Sequence, residues 1–329
     1  MRLTRRQLVG LAGLTGLATA MPAMRNAWAQ TYPTRPVRLV VPFAAGGPTD
    51  LVARVVAQKL SDGWGQQIYV ENAPGASGNT GTRAVARAAP DGYTLLVTTS
   101  GFVVNPSLYA NAQYDPIKDF VPITVPAASS NVLIVHPSIP AKDVQQLIVL
   151  VKASPGKYSF ASAGVGQTGH LAGELLNLSF GLDLAHVPFN GGGPIMNSMM
   201  GGHTLIACLG LPSAAPYIKD GRVRALVMTG ARRATGFPDV PTANEAGVPQ
   251  LETVFFQGIL APAGTPRDIV DHWYREVVRV VAAPDVKEKL TAFSYELAPN
   301  TPEEFAALIK TEMDKWAKVI RDAKIPKVE

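Results

Sequence analysis

Few residues in this chain have the type and spacing to support chemistry. Gly164-Val165-Gly166-Gln167-Thr168-Gly169 is a literal G-x-G-x-x-G between a strand-like run and a helix, the pattern that seats a dinucleotide pyrophosphate, and Asp183 follows where an acid would meet a ribose hydroxyl. The strand before it is polar at Tyr158, Ser159 and Ser162, and the motif sits in mid-chain, so the turn reads better as a carboxylate-binding loop using the same N–H groups. Gly75-Ala76-Ser77-Gly78 only approaches the G-x-S-x-G elbow of a serine hydrolase. His136, His170, His186, His203 and His272 contain no i, i+4 pair and have no neighbouring cysteine, which argues against a metal site. His170 is read as a helix N-terminal residue satisfied locally, and Asp50 and Glu174 as acids that stabilise a helix dipole. Cys208, the sole cysteine, lies in an apolar run and reads as a small hydrophobe. Nothing in this set requires an enzyme, a metal or a cofactor.

What recurs instead is an anion-binding device. Val37 to Val41 has the composition of a buried strand, Pro42 ends it, and Gly46 and Gly47 allow a turn closed to other residues. A helix then begins with Gly47 as N-cap, Pro48 at its first position and Asp50 in its first turn, and Leu51, Val52, Val55, Val56 and Leu60 share its apolar face. The turn presents free N–H groups and the positive end of a helix dipole. Turns of the same kind follow at Thr98-Thr99-Ser100-Gly101, at 163–169 and at Phe189-Asn190-Gly191-Gly192-Gly193-Pro194, each after the carboxyl end of a strand.

The elements that must position these turns alternate between strand and helix. Strands are expected over 37–41, 67–70, 93–99, 158–162, 184–188, 204–209 and 223–229. Helices are expected after the first turn, from about Thr82, over 144–152 and 170–180, and after Pro194. Two helices close the chain, one starting at Thr265-Pro266-Arg267-Asp268 and one at Thr301-Pro302-Glu303-Glu304, a capping box. Extended, proline-punctuated stretches at 121–135 and 250–262 read as two crossings between two α/β lobes with mainly parallel sheets. The expected division is 30–127 plus 254–329 for one lobe and 128–253 for the other, with a ligand cleft between them at the strands' carboxyl ends.

With 329 residues, 47% of them hydrophobic and 17% charged, the chain has the composition of a folded globular protein. The net charge of +5 belongs mostly to residues 1–29, whose four arginines and no acid leave +1 for the remainder, so nothing supports nucleic-acid binding. Arg2, Arg5 and Arg6, the apolar run 8–20 and Ala27-Trp28-Ala29 have the form of an export signal cleaved after Ala29; Thr4-Arg5-Arg6-Gln7-Leu8 suits the twin-arginine route, with the general secretory route as the alternative. The mature product is expected in the periplasm, soluble, free of disulfides and monomeric.

Several blocks, in order, resemble the substrate-binding proteins of tripartite tricarboxylate transporters, the Bug receptors. They are Pro42-Phe43-Ala44-Ala45-Gly46-Gly47 with Asp50 and Ala53-Arg54, Asn72 with Pro74-Gly75 and Gly78, and Pro90-Asp91-Gly92-Tyr93-Thr94-Leu95-Leu96. The match runs on through Tyr114-Asp115-Pro116 with Asp119-Phe120, Ser162-Ala163-Gly164, His170-Leu171-Ala172-Gly173-Glu174 and His186-Val187-Pro188-Phe189. It ends at Pro238-Asp239-Val240-Pro241-Thr242 with Glu245-Ala246-Gly247. The resemblance implies a bilobed periplasmic-binding-protein fold of type II that closes on a carboxylated small molecule and hands it to membrane permease subunits.

It also implies that the ligand carboxylate meets main-chain N–H groups and small side chains of four turns. In this chain these are Phe43, Gly46, Gly47 and Thr49; Ser100 and Phe102; Ser162, Ala163, Gly164, Gly166 and Thr168; and Phe189, Asn190 and Gly191. The family's usual tyrosine after His-Val-Pro is Phe189 here, and a common tryptophan before the late glycine is Phe256. Phe43, Phe102 and Phe189 favour a carboxylate with an aromatic or apolar body, aromatic dicarboxylates included. The alternatives from other classes are an exported enzyme acting on a small carboxylate and a ligand-sensing receptor subunit.

Overall fold

Pro42 stops the first apolar run where expected. In the computed structural model, which describes residues 32–297, 299–322 and 325–328, β1 (Val37–Val41) gives way to α1 (Pro48–Trp64), whose Val52, Val55, Val56 and Leu60 are buried. The expected export signal at 1–29 lies outside the described residues. The chain continues through β2 (Ile68–Asn72), α2 (Asn79–Ala86), β3 (Thr94–Thr99), α3 (Gly101–Leu108) and β4 (Phe120–Ser129). Then come β5 (Asn131–Val135), α4 (Val144–Lys152), β6 (Tyr158–Ser162), α5 (Thr168–Phe180), β7 (Leu184–Pro188) and α6 (Gly192–Met200). The remainder is β8 (Ile206–Gly210), α7 (Leu211–Lys219), β9 (Arg224–Met228), β10 (Phe255–Pro262), α8 (Arg267–Ala282), α9 (Pro284–Ala292) and α10 (Pro302–Asp322).

The strands form two five-stranded sheets, ordered β2-β1-β3-β10-β4 and β7-β6-β8-β5-β9. The two orders are equivalent. Each sheet inserts one antiparallel strand in the fourth place, β10 between β3 and β4 and β5 between β8 and β9. These inserted strands lie on the two expected crossings, which are therefore ladder strands and not free linkers. Only Ser130 separates β4 of one sheet from β5 of the other.

Helices cover the sheets. Against the first sheet, α10 buries Phe305, Ile309 and Trp316 with Phe102, Leu108 and Phe256, and each large apolar side chain so placed contributes about 1.5–3 kcal/mol. Phe256, where the family often has tryptophan, is a core residue whose ring meets Phe305 edge-on at 5.5 Å. The capping box forms as expected, with Thr301 N–H donating to Glu304 Oε2 (2.8 Å) and Glu304 N–H to Thr301 Oγ1 (3.2 Å). Leu171 of α5 belongs to the same cluster as α10 and α3, so the amino end of α5 packs on the first sheet's layer although its strand neighbours belong to the second.

Three helices escaped the sequence reading: α3, which contains Pro106; α7, which contains Pro212 and Pro216; and α9. Residues 35–329 form one compact unit, and no described helix is long and apolar enough to cross a membrane.

Candidate functional site

A cavity of about 290 Å³ lies at the carboxyl ends of the parallel strands, where open α/β sheets bind ligands. The first sheet supplies the turn Phe43-Ala44-Ala45-Gly46-Gly47-Pro48-Thr49 together with Thr99 and Phe255. The second supplies Asn131, Ala163, Gln167, Thr168 and Gly169, the run from Asn190 to Pro194, and Cys208, Leu209, Gly210 and Ser213. Four helices begin on this wall: α1 after Gly47, α5 after Gln167, α6 after Gly191 and α7 after Gly210. None of the four has a side-chain cap, a state they share with α2, α3, α8 and α9, while α4 and α10 are closed by Asp143 and Thr301.

Uncapped first turns direct unsatisfied N–H groups and about half a positive charge per helix toward the space they border. Among the described residues of the wall none carries a charged side chain. Its polar groups are the hydroxyls of Thr49, Thr99, Thr168 and Ser213 and the amides of Asn131, Gln167 and Asn190. Cys208 is neutral there, because burial pushes its thiol up to about 12. Such a surface accepts a small anion by dipoles, while Phe43, Phe255, Pro194 and Leu209 offer contact to an apolar body.

The turn after β1 is held from behind. Asp50, buried beneath it, accepts Gly46 N–H (2.9 Å) and Arg54 Nε (2.8 Å) on Oδ2 and Asn72 Nδ2 (3.0 Å) on Oδ1. Asn72 Nδ2 also reaches the Phe43 carbonyl at 3.0 Å. Burial alone would raise the Asp50 pKa, but the bonds from Arg54, Gly46 and Asn72 outweigh it and hold the carboxyl below its ordinary range. Asp50 therefore fixes a loop and does more than balance a dipole.

Of the residues expected at the ligand, Phe43, Gly46, Gly47, Thr49, Ala163, Thr168, Asn190 and Gly191 stand on the cavity wall. Six do not. Ser100 is buried, donating to the Val254 carbonyl (2.8 Å) and accepting Phe256 N–H (3.2 Å), which ties the end of β3 to the start of β10. Phe102 is a core residue, stacked on Tyr114 at 5.5 Å and edge-on to Phe120 at 5.1 Å. Ser162 turns behind the wall to His186 Nε2 (2.8 Å). Phe189 packs against the apolar cluster under α6 and α7.

Gly164 and Gly166 are spent on close approach. A Cβ at Gly164 would stand 3.0 Å from Ser77 Oγ, and one at Gly166, whose φ is +84°, would stand 2.5 Å from Asn105 Oδ1. Gly169 likewise leaves no room before the Cys208 carbonyl, and Asp183 is exposed before the amino end of β7, away from the cavity. The G-x-G-x-x-G glycines therefore serve packing between elements.

His170 is buried behind the same turn. Its Nδ1 accepts Gly166 N–H (3.2 Å), and its ring lies 4.1 Å from that of His186.

The wall residues outside the expected turns include Asn131, Cys208, Gly210, Ser213 and Phe255. One signal could have found the α7 end: Gly210-Leu211-Pro212 after a strand repeats the glycine and proline pattern of Gly47-Pro48 and Gly193-Pro194. Asn131 and Phe255 carry no such local signal, since each begins an inserted antiparallel strand.

Two sheets of equivalent order with a ligand-sized cavity at their facing strand ends define a bilobed solute-binding protein. Residues 52–325 match the model of the TctC family, the tripartite tricarboxylate transporter family receptors, and the chain belongs to that family. It is thus a periplasmic-type solute receptor and not an enzyme. It is 34% identical to Protein BugT of Bordetella pertussis over 296 residues, covering 89% of this chain and 91% of that one. Two solved structures are similar over their full length. One is Rpa4515 of R. palustris with adipate, at 34% identity and TM-score 0.84, covering 90% of this chain and 100% of that one. The other is MatC of Rhodopseudomonas palustris with bound malate, at 35% identity and TM-score 0.82, covering 88% of this chain and 100% of that one.

Proposed function

We propose that this protein captures a small carboxylate with an apolar or aromatic body in the cavity between its two sheets. It then delivers that ligand to the permease subunits of a tripartite tricarboxylate-type transporter. The observation that carries the reading is the convergence of four uncapped helix amino ends on a wall without a charged side chain. A carboxylate is satisfied there by main-chain N–H groups and hydroxyls, and adipate and malate in the two related structures belong to the same chemical class. The lobes follow the expected division, except that the first boundary falls at Ser130 and not after 127, because Ala128 and Ser129 pair with β10 in the first sheet. Ligand contacts made only in the closed arrangement shift the equilibrium toward it, and the permease reads that shape. The protein acts in the periplasm as a monomer, after removal of residues 1–29.

Thermal-shift screening of residues 30–329 tests this, using mono-, di- and tricarboxylates, aromatic and aliphatic, with NAD as a control. A ligand at a hundred times its Kd stabilises the native state by about 2.7 kcal/mol, which raises Tm by about 4 °C in a chain of this size. The expected result is such a rise with a carboxylate and none with NAD, at a ligand concentration dependence that does not change between pH 6 and 8, because no group on the wall titrates there. A rise with NAD alone contradicts the reading.

A further inference from the structure

We propose that Gln167 is a positioning residue that sets the spacing of the two cavity walls, its side-chain amide tying the amino end of α5 to Thr99 and Ser77 on the side of the first sheet. The inference rests on the cavity being the ligand site and assigns to one side chain the coupling between that site and the contact of the two sheets.

Gln167 occupies the N-cap position of α5 but does not cap it. Its main chain stays local, with N–H donating to the Gly164 carbonyl (3.2 Å) and C=O accepting Leu171 N–H (3.2 Å). Its side chain, almost fully buried, runs the other way. Oε1 accepts the Thr99 hydroxyl at 3.0 Å, and Nε2 donates to the Ser77 carbonyl at 3.3 Å. Thr99 ends β3 and stands on the cavity wall, as does Gln167 itself. One neutral amide thus satisfies both its ends on the side of the first sheet, at the end of β3 and in the turn before α2, while its own residue borders the ligand space.

The surroundings are shaped to this seat. Gly101 lies beneath the amide, and a Cβ there would stand 2.5 Å from Nε2 and 2.9 Å from Cδ and Oε1. Gly101 opens α3 in a helical conformation, so the missing side chain answers to Gln167 and not to a backbone need. Beside it, Tyr109 OH donates to the Val165 carbonyl (3.1 Å) and pairs with Ser77 Oγ (2.9 Å), which extends the same seam. Neutral hydrogen bonds act only at contact distance, so this amide holds the walls at one separation and releases them when it is lost.

The test reads the separation directly and without ligand. Cysteines replacing Tyr69 and Val149, both exposed, carry spin labels on the first sheet and on the second sheet's α4, while Cys208 stays buried and protonated. Pulsed electron–electron double resonance on residues 30–329 is expected to give a distribution dominated by one short distance in the ligand-free parent. A second, longer one is expected in both Gln167→Ala and Gly101→Ala. Gly101→Ala displaces the amide from a position outside the cavity wall and without deleting Gln167. Unchanged distances in both variants overturn the proposal. Lengthening in Gln167→Ala alone also overturns it, because the cause would then be lost bulk and not the amide bridge. With adipate and malate as added probes, the variants are expected to bind about tenfold more weakly than the parent. If neither probe binds the parent while the distances still lengthen, the role of Gln167 stands and the ligand class fails.

Discussion

Asp50→Ala is expected to lower stability at pH 7 by about 3 kcal/mol and to weaken carboxylate binding at least about tenfold. The carboxylate is buried and is the acceptor for Gly46 N–H, Arg54 Nε and Asn72 Nδ2. Its removal takes a charged acceptor from the exposed Gly46 amide and from the half-buried Asn72 side chain, at about 1.5 kcal/mol for each hydrogen bond to a charged group. Arg54 is half exposed, so its share is small after solvent screening. The loss of binding has a separate cause. Gly46 and Gly47 form the wall, and without the anchor their N–H groups no longer hold one direction. The pH dependence fixes the sign. Because the native carboxyl titrates below its ordinary value of 3.8, its contribution is fully present above that pH and is lost as pH falls through the native pKa. Urea denaturation at pH 7 and pH 3 checks this. The gap between parent and variant should be wide at the first and narrow at the second, and an equal gap at both contradicts the assignment.

Acid is expected to destabilise the parent well above the carboxylate range. Burial holds His170 at about 3, with the neighbouring His186 adding to the effect, and burial holds His186 at about 4. An unfolded chain takes up these protons near pH 6.5, and the native state refuses them until about pH 4 and below, so stability falls as pH drops from 6.5. For His170 the slope is about 1.4 kcal/mol per pH unit, or about 2 kcal/mol by pH 5, and the less buried His186 adds a smaller amount. Glu174, with Oε1 3.8 Å from His170 Nε2, works in the opposite sense just above its ordinary pKa, since burial raises it in the native state. Forming His170⁺ also removes the acceptor for Gly166 N–H and so loosens the loop behind the cavity wall. Urea midpoints between pH 7 and 5 should fall steadily. His170→Gln, which keeps an acceptor for that amide, should flatten the trend. A parent midpoint that does not move between pH 7 and 5 contradicts the account.

The strand, turn and helix at 37–64 were legible because every local cue agrees there: an apolar β-branched run, a proline stop, two glycines, and an N1 proline before a period of 3.6. The α4 helix and the α10 capping box were legible for the same reason. The α3 and α7 helices were not. Their prolines argue against helix, and α3 is buried along most of its length, so it lacks the polar face that marks periodicity. Sheet order was hidden because the insertion of β10 and β5 depends on partners far along the chain. Glycine-rich turns pointed to the right strand ends but could not say which amides face the cavity, and so Phe102, buried beside Tyr114, was expected at the ligand. Gln167 fell within an expected turn, but its side-chain contact was not legible because its partner, Thr99, is 68 residues away.

The central claim is that main-chain N–H groups at four helix ends, and no charged side chain, hold the ligand's carboxylate. Amide-resolved NMR of ¹⁵N-labelled residues 30–329, titrated with adipate, malate and an aromatic dicarboxylate, tests it most directly. The account predicts saturable downfield amide-proton shifts for at least one of these at Gly47 and Thr49, Thr168 and Gly169, Gly192 and Gly193, and Ser213. Saturable shifts confined to residues outside the cavity, or no saturable shift with any of the three, would contradict it.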